Sequence, residues 1–137
     1  MGKFSALVEK LIDTIDTVLD NILTKVTRTI TQHKATATSG AIALVVDPAA
    51  AFKLVSLSLH FNTAPTTSEN LTVTLDSGQG AAYDTVLYKR DPSVGSLTDL
   101  YVEFGDNFVF ASDDHLDVAY ANTDARTYGI IARTEAL

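Results

Sequence analysis

Along the first 26 residues the apolar positions recur every three or four residues; from residue 41 onward they recur every second residue. Phe4, Val8, Leu11, Ile15, Val18 and Ile22 alternate steps of four and three, the spacing of a heptad seam. Leu7, Ile12, Leu19, Leu23 and Val26 flank that seam, so the apolar face is broader than a two-stranded zipper needs. The opposite face holds Glu9, Lys10, Asp13, Asp16, Thr17, Asp20, Asn21 and Thr24, and no Gly or Pro interrupts residues 3–38. The pattern predicts an amphipathic helix of about six turns. Its Ile, Val and Thr lose rotamer freedom in a helix, so its order has to come from burying the apolar face against something.

In the second half, Val55, Leu57, Leu59 and Phe61 alternate with Ser56, Ser58 and His60. The same alternation places Leu71, Val73 and Leu75; Leu100, Val102 and Phe104; Leu116, Val118 and Tyr120; and Tyr128, Ile130 and Ala132 on dry faces. Further strands are expected at 41–46, 83–89 and 107–111. Turn signals separate them: DPAA, APTTSEN, DSGQG, RDPSVGS, FGDN, SDD and ANTDA. About eight short strands at regular spacing predict a mainly β fold: an antiparallel, jelly-roll-like β-sandwich behind an N-terminal amphipathic α-helix. The sequence leaves the strand order open.

Between the halves lies TRTITQHKATATSG, residues 27–40. Thr27, Thr29 and Thr31 alternate, so a short strand and a linker are equally defensible readings. The domain division expected is a helical stalk over 1–34, a linker over 35–40 and the sandwich over 41–137.

Composition narrows the functional classes. The chain has 137 residues and a net charge of −7, but residues 1–34 carry five bases against four acids, whereas the remainder carries five bases against thirteen acids. An acidic body repels phosphate backbones, and no nucleic-acid-reading motif offsets that, so no nucleic-acid partner is expected. No apolar run approaches the ~18 residues of a membrane span. The acids at 9, 13, 16 and 20 argue against a secretory signal and against membrane-surface adsorption. With no Cys there are neither disulfides nor thiolate metal sites.

Candidate chemistry is sparse. His33, His60 and His115 form no HxH or HExxH pair, and each is expected to face solvent. Asp106, Asp113, Asp114, Asp117 and Asp124 form the one acidic constellation, but it lacks the EF-hand spacing; Asp113 and Asp114 are expected to cap a turn and Asp117 to lie on a wet face. Ser112, His115 and Asp117 are too close along one strand to arrange as a triad, and no GxSxG elbow is present. DSGQG joins two strands and reads as a hairpin turn, not a phosphate loop. Catalytic residues, metal ligands and cofactors are therefore expected to be none, and the protein is expected not to be an enzyme. For a carbohydrate-binding module the marks would be exposed aromatics, with Tyr83, Tyr88, Tyr101 and Tyr128 the candidates and Tyr101 the one expected to face out.

The β-half, through LVSLSLHFNTAPTTSENLTVTLDSGQGAAYDTVLYKRDP (54–92) and LDVAYANTDARTYGI (116–130), resembles small proteins encoded among the structural genes of tailed bacteriophages. The resemblance covers roughly residues 50–133 and excludes the helix. It implies a virion component, assembled in the reducing bacterial cytoplasm: a capsid decoration or cement protein, a head fibre or spike, or a tail-associated piece. It implies no active-site residues. The alternative is a tail-associated adhesin or carbohydrate-binding sandwich.

The site residues expected to act are those of the helix: Phe4, Val8, Leu11, Ile12, Ile15, Val18, Leu19 and Ile22, for oligomerisation or docking. Their face can pack on its own sheets or on symmetry mates. Copies of the same chain are the favoured partner, as a homotrimeric coiled coil, because β-branched residues occupy both seam positions. A major capsid protein or another virion protein is the second expected partner.

Overall fold

The computed structural model describes residues 2–26 and 29–137, side chains 24–26 excepted. Thr27 and the Val26 side chain, both part of the sequence patterns above, lie outside the described residues. Helix α1 spans Gly2–Val26, 25 residues and thus about 37 Å. Among the described residues nine strands follow: β1 Ile30–Ala37, β2 Ile42–Val46, β3 Phe52–Phe61, β4 Leu71–Asp76, β5 Thr85–Arg90, β6 Asp99–Glu103, β7 Val109–Phe110, β8 His115–Tyr120 and β9 Tyr128–Ala136.

The strands form two sheets, one ordered β1-β9-β3-β6, with β7 extending the same edge of β3, and one ordered β2-β8-β4-β5. Every pairing is antiparallel. Successive strands cross between the sheets except at β4–β5 and β6–β7, which stay within one, and the last strand inserts between the first and the third. That order is a jelly roll, a double Greek key closed over one core. The mainly β sandwich behind an N-terminal helix is thus the observed fold.

The core sits between the sheets, where the period-two pattern delivers one face of each strand. Leu57, Leu59, Phe61, Ile130 and Ala132 come from the first sheet, and Ile42, Val46, Leu71, Val73, Leu116 and Val118 from the second; all are buried. Phe61 and Tyr120 meet across the gap with ring centroids 5.5 Å apart. Burial pushes the Tyr120 phenol up to about 12.

One alternation is broken. The sequence pattern placed Val55 on the face of Leu57, but β3 bulges between Leu54 and Ser56 against β9. The extra residue reverses the parity, so Phe52 and Leu54 enter the core and Val55 is half-buried instead.

The threonine-rich stretch is also decided. Residues 30–37 pair along their full length with 128–135 of β9, so residues 30–34 lie in the sheet, not in the helical stalk, and 35–37 are strand, not linker. Ala35 and Ala37 pack on the core from this edge. His33 shares their face: it is half-buried, with Nε2 3.0 Å from Thr134 Oγ1, and burial lowers its pKa. It therefore departs from the solvent-facing position expected of it.

At one end of the sandwich two side chains tie three loops together. Buried Asn122, itself at φ 54°, donates to the carbonyls of Gly40 (2.7 Å) and Arg126 (2.9 Å) and accepts from the Arg126 amide. Asp124 accepts from the backbone amides and hydroxyls of both Thr66 and Thr67. These bonds, led by the Thr67 hydroxyl, hold its carboxyl far below the usual carboxylate range. Because the folded pKa lies below the unfolded value of about 4, this stabilisation is complete above that value and is lost as pH falls below it. Asp124→Ala should lower the thermal midpoint at pH 7, and the gap to wild type should narrow as pH falls below about 4. A gap independent of pH, measured by circular dichroism melts, would contradict this account of the loop clamp.

Candidate functional site

The helix presents its apolar stripe to solvent. Among its described side chains the ten large apolar ones, from Phe4 to Leu23, range from 39% exposed at Val8 to 71% at Phe4. Every described helix side chain is exposed, so the stripe finds no cover on the sheets of its own chain. At 100° per residue these positions fill an arc of about 160°. An arc of that width exceeds the narrow seam of a two-stranded coil. On the polar side Thr14 and Thr17 donate their hydroxyls back to the carbonyls of Lys10 (2.8 Å) and Asp13 (2.9 Å), satisfying themselves within the helix.

The acidic constellation is dispersed by the fold. Asp106 lies 3.4 Å from the Lys53 ammonium. Asp114 accepts from the amides of Ala111 and Gly78 and the Ser77 hydroxyl, so it caps the 111–114 turn and braces the neighbouring one. Asp113 accepts from the Gln79 side chain, and its backbone and carboxylate approach Gly78 so closely that a Cβ there would collide with them. Asp117 stands half-exposed on β8. Among the described residues no three His, Asp or Glu side chains converge as metal ligands. His115 Nε2 pairs with Asp76 Oδ2 at 2.9 Å across the β8–β4 ladder, not with Asp117. DSGQG sits between the paired strands β4 and β5.

Of the four tyrosines considered for a sugar platform, Tyr128 is buried and donates to the Ala41 carbonyl, while Tyr88 packs edge-on to Phe104. Tyr83 and Tyr101 are exposed. Tyr101 belongs to a feature that no local pattern revealed: a groove of about 720 Å³ across the outer face of the β1-β9-β3-β6 sheet. Strand register assembles it. Lys34, Ile131, Ser58 and Tyr101 form one row across four strands, and Thr36, Gly129, His60 and Asp99 form the next.

The polar groups of the groove are held in place by hydrogen bonds. His60 Nδ1 lies 2.7 Å from Asp99 Oδ1. The Tyr101 hydroxyl donates to Glu103 Oε1 (3.0 Å), and Arg133 Nη1 donates to Ser58 Oγ (2.7 Å). Hydrogen bonds from His60 first, then from Thr98, depress the Asp99 carboxyl below its ordinary range. Replacing His60 by Ala should therefore raise the Asp99 titration midpoint toward about 4, as read from its carboxyl carbon shift in NMR. An unmoved midpoint would remove His60 as the cause.

No family model matches the chain, and no curated protein matches it. Among solved structures, it is similar to the arabinose-bound α-L-arabinofuranosidase MgGH51, at 13% identity and a TM-score of 0.40, over 80% of this chain and 23% of that one. It is also similar to protein SO0799 from Shewanella oneidensis, at 12% identity and a TM-score of 0.21, over 74% of this chain and 57% of that one. The chain thus spans under a quarter of the first and under two thirds of the second. Likenesses this distant bear on neither activity nor ligand. No helix among the described residues is long and apolar enough to cross a membrane.

Proposed function

We propose that the protein is a non-enzymatic structural component of a tailed-bacteriophage virion, of the capsid decoration or head-fibre kind, which self-associates through α1 as a homotrimer. The supporting observation is the uncovered stripe on the helix: ten large apolar side chains in a continuous arc, on an element whose sequence is a modest helix former by itself. Each such side chain contributes about 1.5–3 kcal/mol when fully buried, before ordering and association costs. A seam of six per copy is enough to decide assembly. The breadth of the arc and the β-branched seam favour three strands over two. The sandwich heads would then be carried at the end of the bundle, free to pack on one another or on a shell protein. The virion setting draws on the resemblance of residues 50–133 to phage structural proteins, and the reading as a scaffold on the lack of a catalytic arrangement in the sequence.

Light scattering on the purified full-length chain tests the assembly. We expect a trimeric mass for the wild type and a monomeric mass for Ile15→Asp, with the sandwich melting unchanged. Removing residues 1–28 should have the same effect, since β1 begins only at Ile30. An unaltered mass in Ile15→Asp, or a monomeric wild type, would overturn the helix as the assembly element. Mass spectrometry of particles of the phage that encodes it tests the virion assignment; absence from the particle refutes it.

A further inference from the structure

We infer that the groove on the outer face of the β1-β9-β3-β6 sheet is a binding site for a short, uncharged oligosaccharide. Its volume of about 720 Å³ falls in the range of small-molecule sites. It crosses four strands, so its long axis covers three inter-strand spacings, about 14 Å. That length suits a ligand longer than a single sugar ring.

The lining argues for the ligand class. Tyr101, 61% exposed, and the aliphatic body of Ile131 offer apolar surface in one row. Beside them, the His60–Asp99 pair and the Ser58 hydroxyl offer donors and acceptors already fixed by their own hydrogen bonds. An apolar platform next to preset polar groups complements a sugar ring, which has C–H faces and a hydroxyl rim. Gly129 lies between Thr36 and His60 in the second row, and a Cβ built there would meet nothing within 4 Å. The floor is therefore open where a ring would lie.

Charge narrows the choice further. The body outside the helix is strongly acidic, yet in and around the groove Lys34 and Arg133 balance Asp99 and Glu103. A phosphate-bearing or polycationic ligand gains nothing from a balanced site. The apolar helix of a second copy is a poor occupant, because it would take the His60–Asp99 pair out of water without replacing its hydration. An extended peptide would seek an open sheet edge, whereas this groove runs across paired strands.

The test uses the full-length protein on an array of neutral and acidic oligosaccharides, followed by calorimetric titration with the strongest neutral glycan. Tyr101→Ala removes the platform, and Gly129→Leu fills the floor; neither touches the helix. We expect a neutral glycan to bind, with Kd rising at least about tenfold in each variant that retains the wild-type thermal midpoint. If Gly129→Leu fails to fold, Tyr101→Ala alone decides. The inference is overturned if no neutral glycan binds, if only acidic glycans bind, or if affinity is indifferent to the substitutions. It is equally overturned if Gly129→Leu lowers the oligomer mass, since the face would then be a contact between copies.

Discussion

A chain with an apolar residue at every second position has one dry face per strand, and that face has to meet another. In this protein the requirement is met by folding the chain back and forth between two sheets, so that Leu57, Leu59 and Ile130 from one oppose Leu71, Val73, Leu116 and Val118 from the other. The rest of the structure follows from that closure. The loops gather at the ends, Asn122 and Asp124 tie three of them together, and the outer faces are left for other purposes.

Helix and sandwich obey the same burial rule with opposite results. In the sandwich, apolar side chains from distant segments cover one another within a single chain. On the helix a stripe of comparable chemistry is left uncovered. A chain that leaves so long an apolar arc open has a surface suited to partners. The two outward-looking features also differ in kind: the helix stripe is aliphatic and continuous, while the groove mixes one aromatic ring with preset polar groups.

The strands were readable because their signal is local: period two survives in almost every one, and turn residues mark the gaps. The bulge at Val55 was not, because it arises from how β3 registers on β9 some eighty residues away. Strand β1 was readable only in part. Its inward positions are His33, Ala35 and Ala37, which give little hydrophobic contrast, so only pairing with β9 distinguishes it from a tether. The groove was invisible for a related reason. Its residues come from four strands, and only the outward position of Tyr101 carried a local clue.

Strand β1 joins the helix to the sandwich, and it runs antiparallel to β9 along eight paired residues from Ile30↔Glu135 to Ala37↔Tyr128. Because the pair is antiparallel, the start of β1 at Ile30 lies beside the end of β9 at Glu135, so the direction of a pull decides how the ladder gives way. Its cross-strand bonds lie perpendicular to the strands, so a pull along the strand axis against the Tyr128 end would load them together in shear, whereas a pull between Ile30 and Glu135 would open them one at a time.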